Sequence, residues 1–436
     1  MSKRIKKKSV NKGKGKAPLQ SPKGMRDILP EDQLYWEKTR RAAGKIAEAY
    51  DFLRIDTPII EFADVFERTG EATDIVEKQM YFIKAKGGDK LVLRPEMTAP
   101  VMRAYFQHSL SKLGHPLKLF YSGPLFRHEQ PQAGRYRQHY QVGFEIIGGE
   151  EDSYFDALAI IVQFRFLEEL KIKNLIVHLN SIGCRQCRTA YVKKLQEYYR
   201  GKKDKICKDC LRRLPLRPLR LLDCKNENCQ PVKAEAPLII DKICASCRKH
   251  FKATIEFLDI LSIPYSLNPF LVRGLDYYNR TVFELFSETE NFNIAVGGGG
   301  RYDYLAEMLY NQKTNGVGGG IGIDRVVELM KQQDIAPLPK SAPKIFLIHI
   351  GEEAKKRNFV IFEELRKAGI KATESLGKES LKSQLRAADK AKALLTLIIG
   401  QKEVFEESVI IRNMETGNQE AVPIKRMVEE VKKRLH

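Results

Sequence analysis

Between Phe52 and Gly149 the chain runs in short stretches of apolar residues broken by polar ones: FLRIDTPII, KLVLRP, LKLFYSG and YQVGFEIIG. Such runs predict strands that bury at least one face. Turn residues separate them at Gly87-Gly88-Asp89, Gly114-His115-Pro116 and Pro131-Gln132-Ala133-Gly134, so an antiparallel sheet with hairpins is expected. A helix is predicted from Pro30 to Tyr50. Its apolar positions Leu34, Ile46 and Ala49 are sparse, but Glu31 and Asp32 suit a helix N-terminus. Residues 152–170 carry a helical stripe of Ala157, Ile160, Ile161, Phe164, Leu167 and Leu170, and LIVHLN (175–180) follows as a strand.

After a segment without this regularity (184–250), a helix is expected around 250–261. Strands are expected at PFLVRGLDYY, TVFELF and NIAVGGG, before a glycine-rich run and the helix IDRVVELM. Pro337, Pro339 and Pro343 mark a linker over 336–343. Beyond it strands alternate with helices, which predicts a separate α/β domain (344–436) on a mainly parallel sheet. The expected organisation is thus an arm (1–20), a first domain in two parts (21–183 and 251–335), an insertion (184–250), a linker and a C-terminal domain.

Charge refines that division. The 436 residues carry a formal net charge of +20. Residues 1–16 contribute +8 and residues 184–250 contribute +11, whereas the body is near neutral. The arm is Lys/Gly-rich and reads as disordered. Basic appendages around a neutral body point to a polyanion such as nucleic acid. No run reaches the ~18–20 apolar residues of a membrane helix. No targeting segment is recognisable either, so a cytoplasmic protein with no membrane association is expected. All eight cysteines fall in the basic insertion, as Cys184/Cys187, Cys207/Cys210, Cys224/Cys229 and Cys244/Cys247. Without a secretory signal, such pairs point to structural Zn²⁺ rather than disulfides. Sequential and nested pairings into two four-cysteine sites are both open.

Four stretches carry chemistry. FRHEQPQAGRYRQHYQVGFE (126–145) brings Arg127, Arg135 and Arg137 beside Glu129, and Arg offers a planar donor fork for phosphate or carboxylate. Gln141 and Glu145 share a strand parity and should face one side. LVRGLDYYNRTVFELF (271–286) holds Arg273, Tyr277 and Tyr278; if it is a strand, the adjacent tyrosines point to opposite faces. GGGGRYD (297–303) allows close backbone approach to a ligand. GVGGGIGIDRVVELM (316–330) puts Arg325 in a helix's first turn, where a cation opposes the dipole unless an anion is near.

Together these stretches resemble the histidyl-tRNA synthetases, a class II aminoacyl-tRNA synthetase family, over nearly the whole chain after the arm. TPIIE (57–61), FRHEQPQAGRYRQ (126–138) and GVGGGIGIDRV (316–326) resemble class motifs 1, 2 and 3. RGLDYYNRTVFE (273–284) and VGGGGRYD (296–303) resemble the two histidine-specific motifs. The resemblance implies an α+β fold: an antiparallel active-site sheet flanked by helices, a small Cys-rich insertion and a C-terminal α/β anticodon-binding domain. It implies a homodimer formed through motif 1, with ATP, Mg²⁺, L-histidine and tRNA(His) as substrates and partners.

It also implies roles. Arg127, Arg273 and Arg325 would be catalytic and ATP-binding, with Glu129 and Arg135 beside them. Glu96, Met97 and Thr98 would meet the histidine amino group, where Met97 stands in place of a frequent glycine. Gln141, Glu145, Tyr277 and Tyr278 would form the side-chain pocket. A non-catalytic paralogue, the regulatory subunit of ATP phosphoribosyltransferase, is the alternative; it generally lacks both RGLDYYNRT and the anticodon domain. A zinc-containing RNA-binding protein with a dead catalytic domain would require the loss of one of the arginines or glutamates above, and all are present.

Overall fold

The computed structural model describes the chain except residues 1–18, 71–72, 74, 131–133, 289–294, 341–342, 376, 378–379 and 436. The expected arm therefore lies almost wholly outside the described residues, as do most of the 131–134 turn and the start of NIAVGGG. Met1–Leu338 and Pro339–His436 form two compact units.

The first unit is built on an eight-stranded sheet. From one edge its order is Leu53–Arg54, Leu117–Phe126, Gln138–Ile147, Gly316–Gly322, Gly297–Arg301, Asn279–Ser287, Leu175–Ser181 and Tyr265–Leu267. The six inner strands are antiparallel, as expected, and the two short edge strands pair parallel. Helices Pro30–Ala49, Ser153–Glu169 and Ile323–Gln332 share a core with Val142, Phe144, Val317 and Ile321 of the sheet. The predicted stripe Ile160, Phe164 and Leu167 is buried there. In the first helix Trp36, Ala43 and Ala47 carry the contact instead of Leu34 and Ala49, and Trp36 meets Tyr140 edge to face at 4.9 Å.

Three expectations change. FLRIDTPII is not one strand: Pro58, which has no N–H to donate, separates Leu53–Arg54 from Ile60–Phe62. The latter pairs with Lys90–Leu93 and Tyr81–Lys84 in a separate small sheet. PFLVRGLDYY is irregular. Its carbonyls are satisfied by side chains rather than a strand ladder: Asn180 donates to Pro269 and Leu271, and Arg188 to Asp276 and Tyr278. Conversely, the glycine run Gly316–Gly322 is a central strand, paired on both sides.

The insertion is mainly helical, with Arg185–Arg200, Lys208–Leu216 and Gln230–Ala234, and helix Ala245–Ile260 runs through residue 250 back into the body. The second unit holds a five-stranded sheet in the order Ala372–Glu374, Ile345–His349, Leu395–Ile399, Ser408–Asn413 and Gln419–Pro423. The first three strands are parallel, but a tight turn makes the last two an antiparallel hairpin, so the sheet is mixed rather than mainly parallel.

Candidate active site

The candidate site is the polar face of the large sheet. Gln141 and Glu145 project from Gln138–Ile147 across its neighbour Gly316–Gly322, opposite Gly322 and Gly318. A Cβ on Gly318 would lie 1.9 Å from Glu145 Oε2, and one on Gly320 would lie 2.3 Å from the Gln141 amide. The glycines of this strand are therefore a bare floor on which polar side chains lie.

Glu145 is fully buried. Thr98 (2.8 Å) and Tyr121 (3.3 Å) donate hydrogen bonds to its Oε1, and Tyr302 (2.6 Å) donates to Oε2. Burial pushes its carboxyl up to about 8, against the lowering effect of the Tyr302 and Thr98 bonds. Glu96, also buried, accepts from the backbone N–H groups of Thr98 (2.7 Å) and Ala99 (2.9 Å) and from Tyr277 (3.4 Å). Burial raises its pKa as well. The Tyr277 and Tyr278 rings lie 4.8 Å apart and both are buried. Because the segment is not a strand, they do not diverge to opposite faces as expected. Met97 is 1% exposed and packs in the core cluster that contains Tyr121 and Tyr277.

Glu145 implies a pH dependence. Its folded pKa is raised above the unfolded value of about 4.3, so the folded chain holds a proton that the unfolded chain has released. Through this group the ligand-free protein should lose stability as pH rises from about 4.5 to about 8. Urea unfolding across that range should show the slope, and Glu145→Gln should reduce it, leaving the part from Glu96.

Beside this cluster lies a cavity of about 210 Å³ lined by Arg127, Arg135, Arg273, Arg325, Glu129, Glu284, His139 and Gln141. Each arginine is braced. Arg127 Nε donates to the Pro95 carbonyl at 2.8 Å. Arg273 pairs with Glu284 at 2.6 Å, and its Nε is buried without a hydrogen-bond partner. Burial works against its charge, but Glu284 together with Tyr278 and Tyr277 more than restores it, leaving its pKa above the usual guanidinium value. Arg325, in the first turn of Ile323–Gln332, donates to Gly134 (3.0 Å) and Ala295 (2.5 Å) carbonyls, which answer the dipole it opposes. Burial, then Arg135 and Arg127, lower its pKa against the opposing pull of Glu129 and Glu284. Glu129 and Arg135 stand 3.9 Å apart at the rim. His139 is held down to about 3 by burial and by Arg127 and Arg325, so it is neutral.

The sequence reading missed Glu284, Tyr302, Tyr121 and His139. Glu284 and Tyr302 lie inside the quoted motifs, and a parity argument on TVFELF would have flagged the acid. Tyr121 sits opposite Gly143, whose added Cβ would lie 2.2 Å from its ring. That large–small pair is legible only once the hairpin register is known.

A family model described as Histidyl-tRNA synthetase matches residues 24–326, and one described as Anticodon binding domain matches residues 344–434. The chain is 45% identical over 417 residues to a histidine–tRNA ligase of Dehalococcoides mccartyi, covering 95% of this chain and all of that one. It is 41% identical over 416 residues to one of Halothermothrix orenii, covering 95% and 99%. Among solved structures, an apo histidyl-tRNA synthetase of Staphylococcus aureus matches with TM-score 0.79 at 31% identity, over 95% of this chain and all of that chain. Sheet, arginine cavity, C-terminal domain and full-length similarity agree, and the chain belongs to the histidyl-tRNA synthetase family.

Proposed function

We propose that this chain is a histidine–tRNA ligase, joining L-histidine to tRNA(His) through a histidyl-adenylate. The histidine carboxylate attacks the ATP α-phosphorus, pyrophosphate leaves, and histidine then passes to the terminal ribose of the tRNA. The observation that carries the reading is the gathering of four arginines in one cavity beside a buried, hydrogen-bonded carboxylate.

Such a reaction needs no enzyme nucleophile. Negative charge grows on phosphate oxygens, and fixed cations stabilise it without reorganising. Arg127 and Arg273 suit the α-phosphate, with Arg273 also reaching the histidine carboxylate. Arg325, with Arg135 and Glu129 at the rim, suits the β and γ end. Glu96 and Thr98 suit the α-amino group, with Met97 packed behind them. Gln141, Glu145, Tyr277 and Tyr278 suit the imidazole. A pocket of buried polar groups rejects an apolar analogue, which would leave them unpaired; such sites discriminate by roughly 10⁴–10⁵. Mg²⁺ would accompany ATP, and the hard oxygens of Glu129 and Glu284 fit it. It would neutralise phosphate charge there. Charging assays on total tRNA should show label from histidine, and label from any other amino acid would refute the assignment.

The exposed apolar residues around the motif 1 segment, Ile59, Ile60, Phe62 and Phe82, each 43–55% accessible, support a homodimer. Light scattering should give twice the 50.0 kDa chain mass. Phe62→Asp should shift it toward the monomer. The basic insertion and the anticodon-binding domain are the surfaces offered to tRNA. Among the described residues no helix is long and apolar enough to cross a membrane.

A further inference from the structure

The eight cysteines gather into two sets of four, Cys184/Cys187/Cys244/Cys247 and Cys207/Cys210/Cys224/Cys229, with the sulfur atoms of each set within 4.8 Å of one another. This is the nested pairing; the sequential one is excluded because the sequence-adjacent pairs 187/207 and 229/244 fall in different sets. Sulfur separations of 3.6 Å (Cys184–Cys187), 3.9 Å (Cys207–Cys224) and 4.0 Å (Cys210–Cys229) are far from the ~2.05 Å of a disulfide. They match the roughly 3.8 Å edge of a tetrahedron with Zn–S near 2.3 Å.

The backbone prepares these sites for anions. Cys184 and Cys244 N–H groups donate to Cys247 and Cys187 Sγ at 3.2 and 3.0 Å, and Cys207 N–H donates to Cys229 Sγ at 3.1 Å. Cys184 and Cys244 each cap a 16-residue helix without a side-chain cap bond. Two positive helix ends therefore converge on one set of sulfurs. Thiolates answer those dipoles, and four thiolates together require a cation.

The Cys184/Cys187/Cys244/Cys247 set, at the neck where the insertion leaves and rejoins the body, also borders that body. One residue after Cys187, Arg188 donates to the carbonyls of Asp276 (2.7 Å) and Tyr278 (3.1 Å), bracing the irregular segment that carries Tyr277 and Tyr278. Immediately before Cys184, Ile182 and Gly183 exchange backbone bonds with Arg280. We infer that the chain binds two Zn²⁺ ions in these two tetrathiolate sites, and that the neck ion is a positioning element for the histidine-side segment 276–278. The positioning half rests on the histidine-pocket reading above; the metal half does not.

Metal analysis of the purified full chain should give two zinc ions per chain. A mercurial thiol reagent should release both, and a disulfide-exchange thiol reagent without denaturant should leave the thiols largely unreacted. Zinc below one per chain with eight freely titrating thiols would overturn the metal sites, whatever the enzyme does. For positioning, Cys247→Ser should lose one zinc and raise KM for histidine at least tenfold, and an unchanged histidine KM in the zinc-depleted variant would overturn the ion's positioning role. Arg188→Met keeps both ions and serves where the cysteine variant fails to fold. It should raise KM for histidine at least tenfold in ATP–pyrophosphate exchange while KM for ATP moves less than twofold. An unchanged histidine KM in Arg188→Met, with the wild-type chain active, would overturn the positioning role.

Discussion

Arg273→Ala should lower histidine-dependent ATP–pyrophosphate exchange by about 10³-fold while leaving the fold and the proposed dimer intact. Removing one well-placed transition-state donor costs about 10²–10³ in rate, and Arg273 is assigned contacts to both reacting partners. Glu284 fixes one end of its guanidinium at 2.6 Å, and the buried Nε has no hydrogen-bond partner. A preset donor with spare capacity is what a developing oxyanion needs. Arg273→Lys should recover little, because an ammonium cannot span two acceptors as the planar fork does. Structural cost is small because Glu284 is itself partly exposed and can find water. Steady-state exchange together with light scattering checks this; loss of the proposed dimer along with the activity would mean that the side chain serves the interface instead.

The largest stability effect should come from Arg301→Met. This guanidinium is 1% exposed and binds Asp156 through Nε (2.9 Å), Asp303 (3.0 Å) and the Asp152 carbonyl (2.8 Å). His250 Nε2 lies 3.2 Å from the other Asp156 oxygen. Burial alone would push Asp156 up, but Arg301 together with His250 outweighs it and holds the carboxyl at about 2. Breaking one partner strands a buried charge, which costs about 3–5 kcal/mol. Urea unfolding should show that loss, and Asp156→Asn should show much of it. Because the folded pKa is depressed, the stability this carboxylate contributes is present above about pH 4. It is lost as pH falls toward 2.

Arg301 also shows what a sequence can and cannot say. It lies in VGGGGRYD, a stretch that reads as ligand-binding, yet its partners make it a structural hub. Motif membership marks a residue without saying whether it acts on substrate or holds the sheet. The helices were legible from periodicity, since Ile160, Phe164 and Leu167 bury as their spacing requires. Of the inner strands, Leu117–Phe126, Gln138–Ile147, Leu175–Ser181 and Asn279–Ser287 were legible as apolar runs. The segment 269–278 was not, because its backbone is satisfied by Asn180 and Arg188, side chains from distant positions. The Gly316–Gly322 strand was not either: its lack of side chains follows from Glu145 and Gln141 crossing it, a tertiary fact. Candidate arginines were found by residue type and motif, whereas their supports, such as Glu284 and the Pro95 carbonyl, emerge only from the fold.

On the proposed function, the arginine cavity and the buried Glu145 cluster together activate histidine and no other amino acid. ATP–pyrophosphate exchange measured with each of the twenty amino acids tests it most directly. Exchange with histidine alone, falling at least tenfold in Glu145→Gln with the fold retained, is the predicted result. No exchange with histidine, or equal exchange with several amino acids, would contradict it.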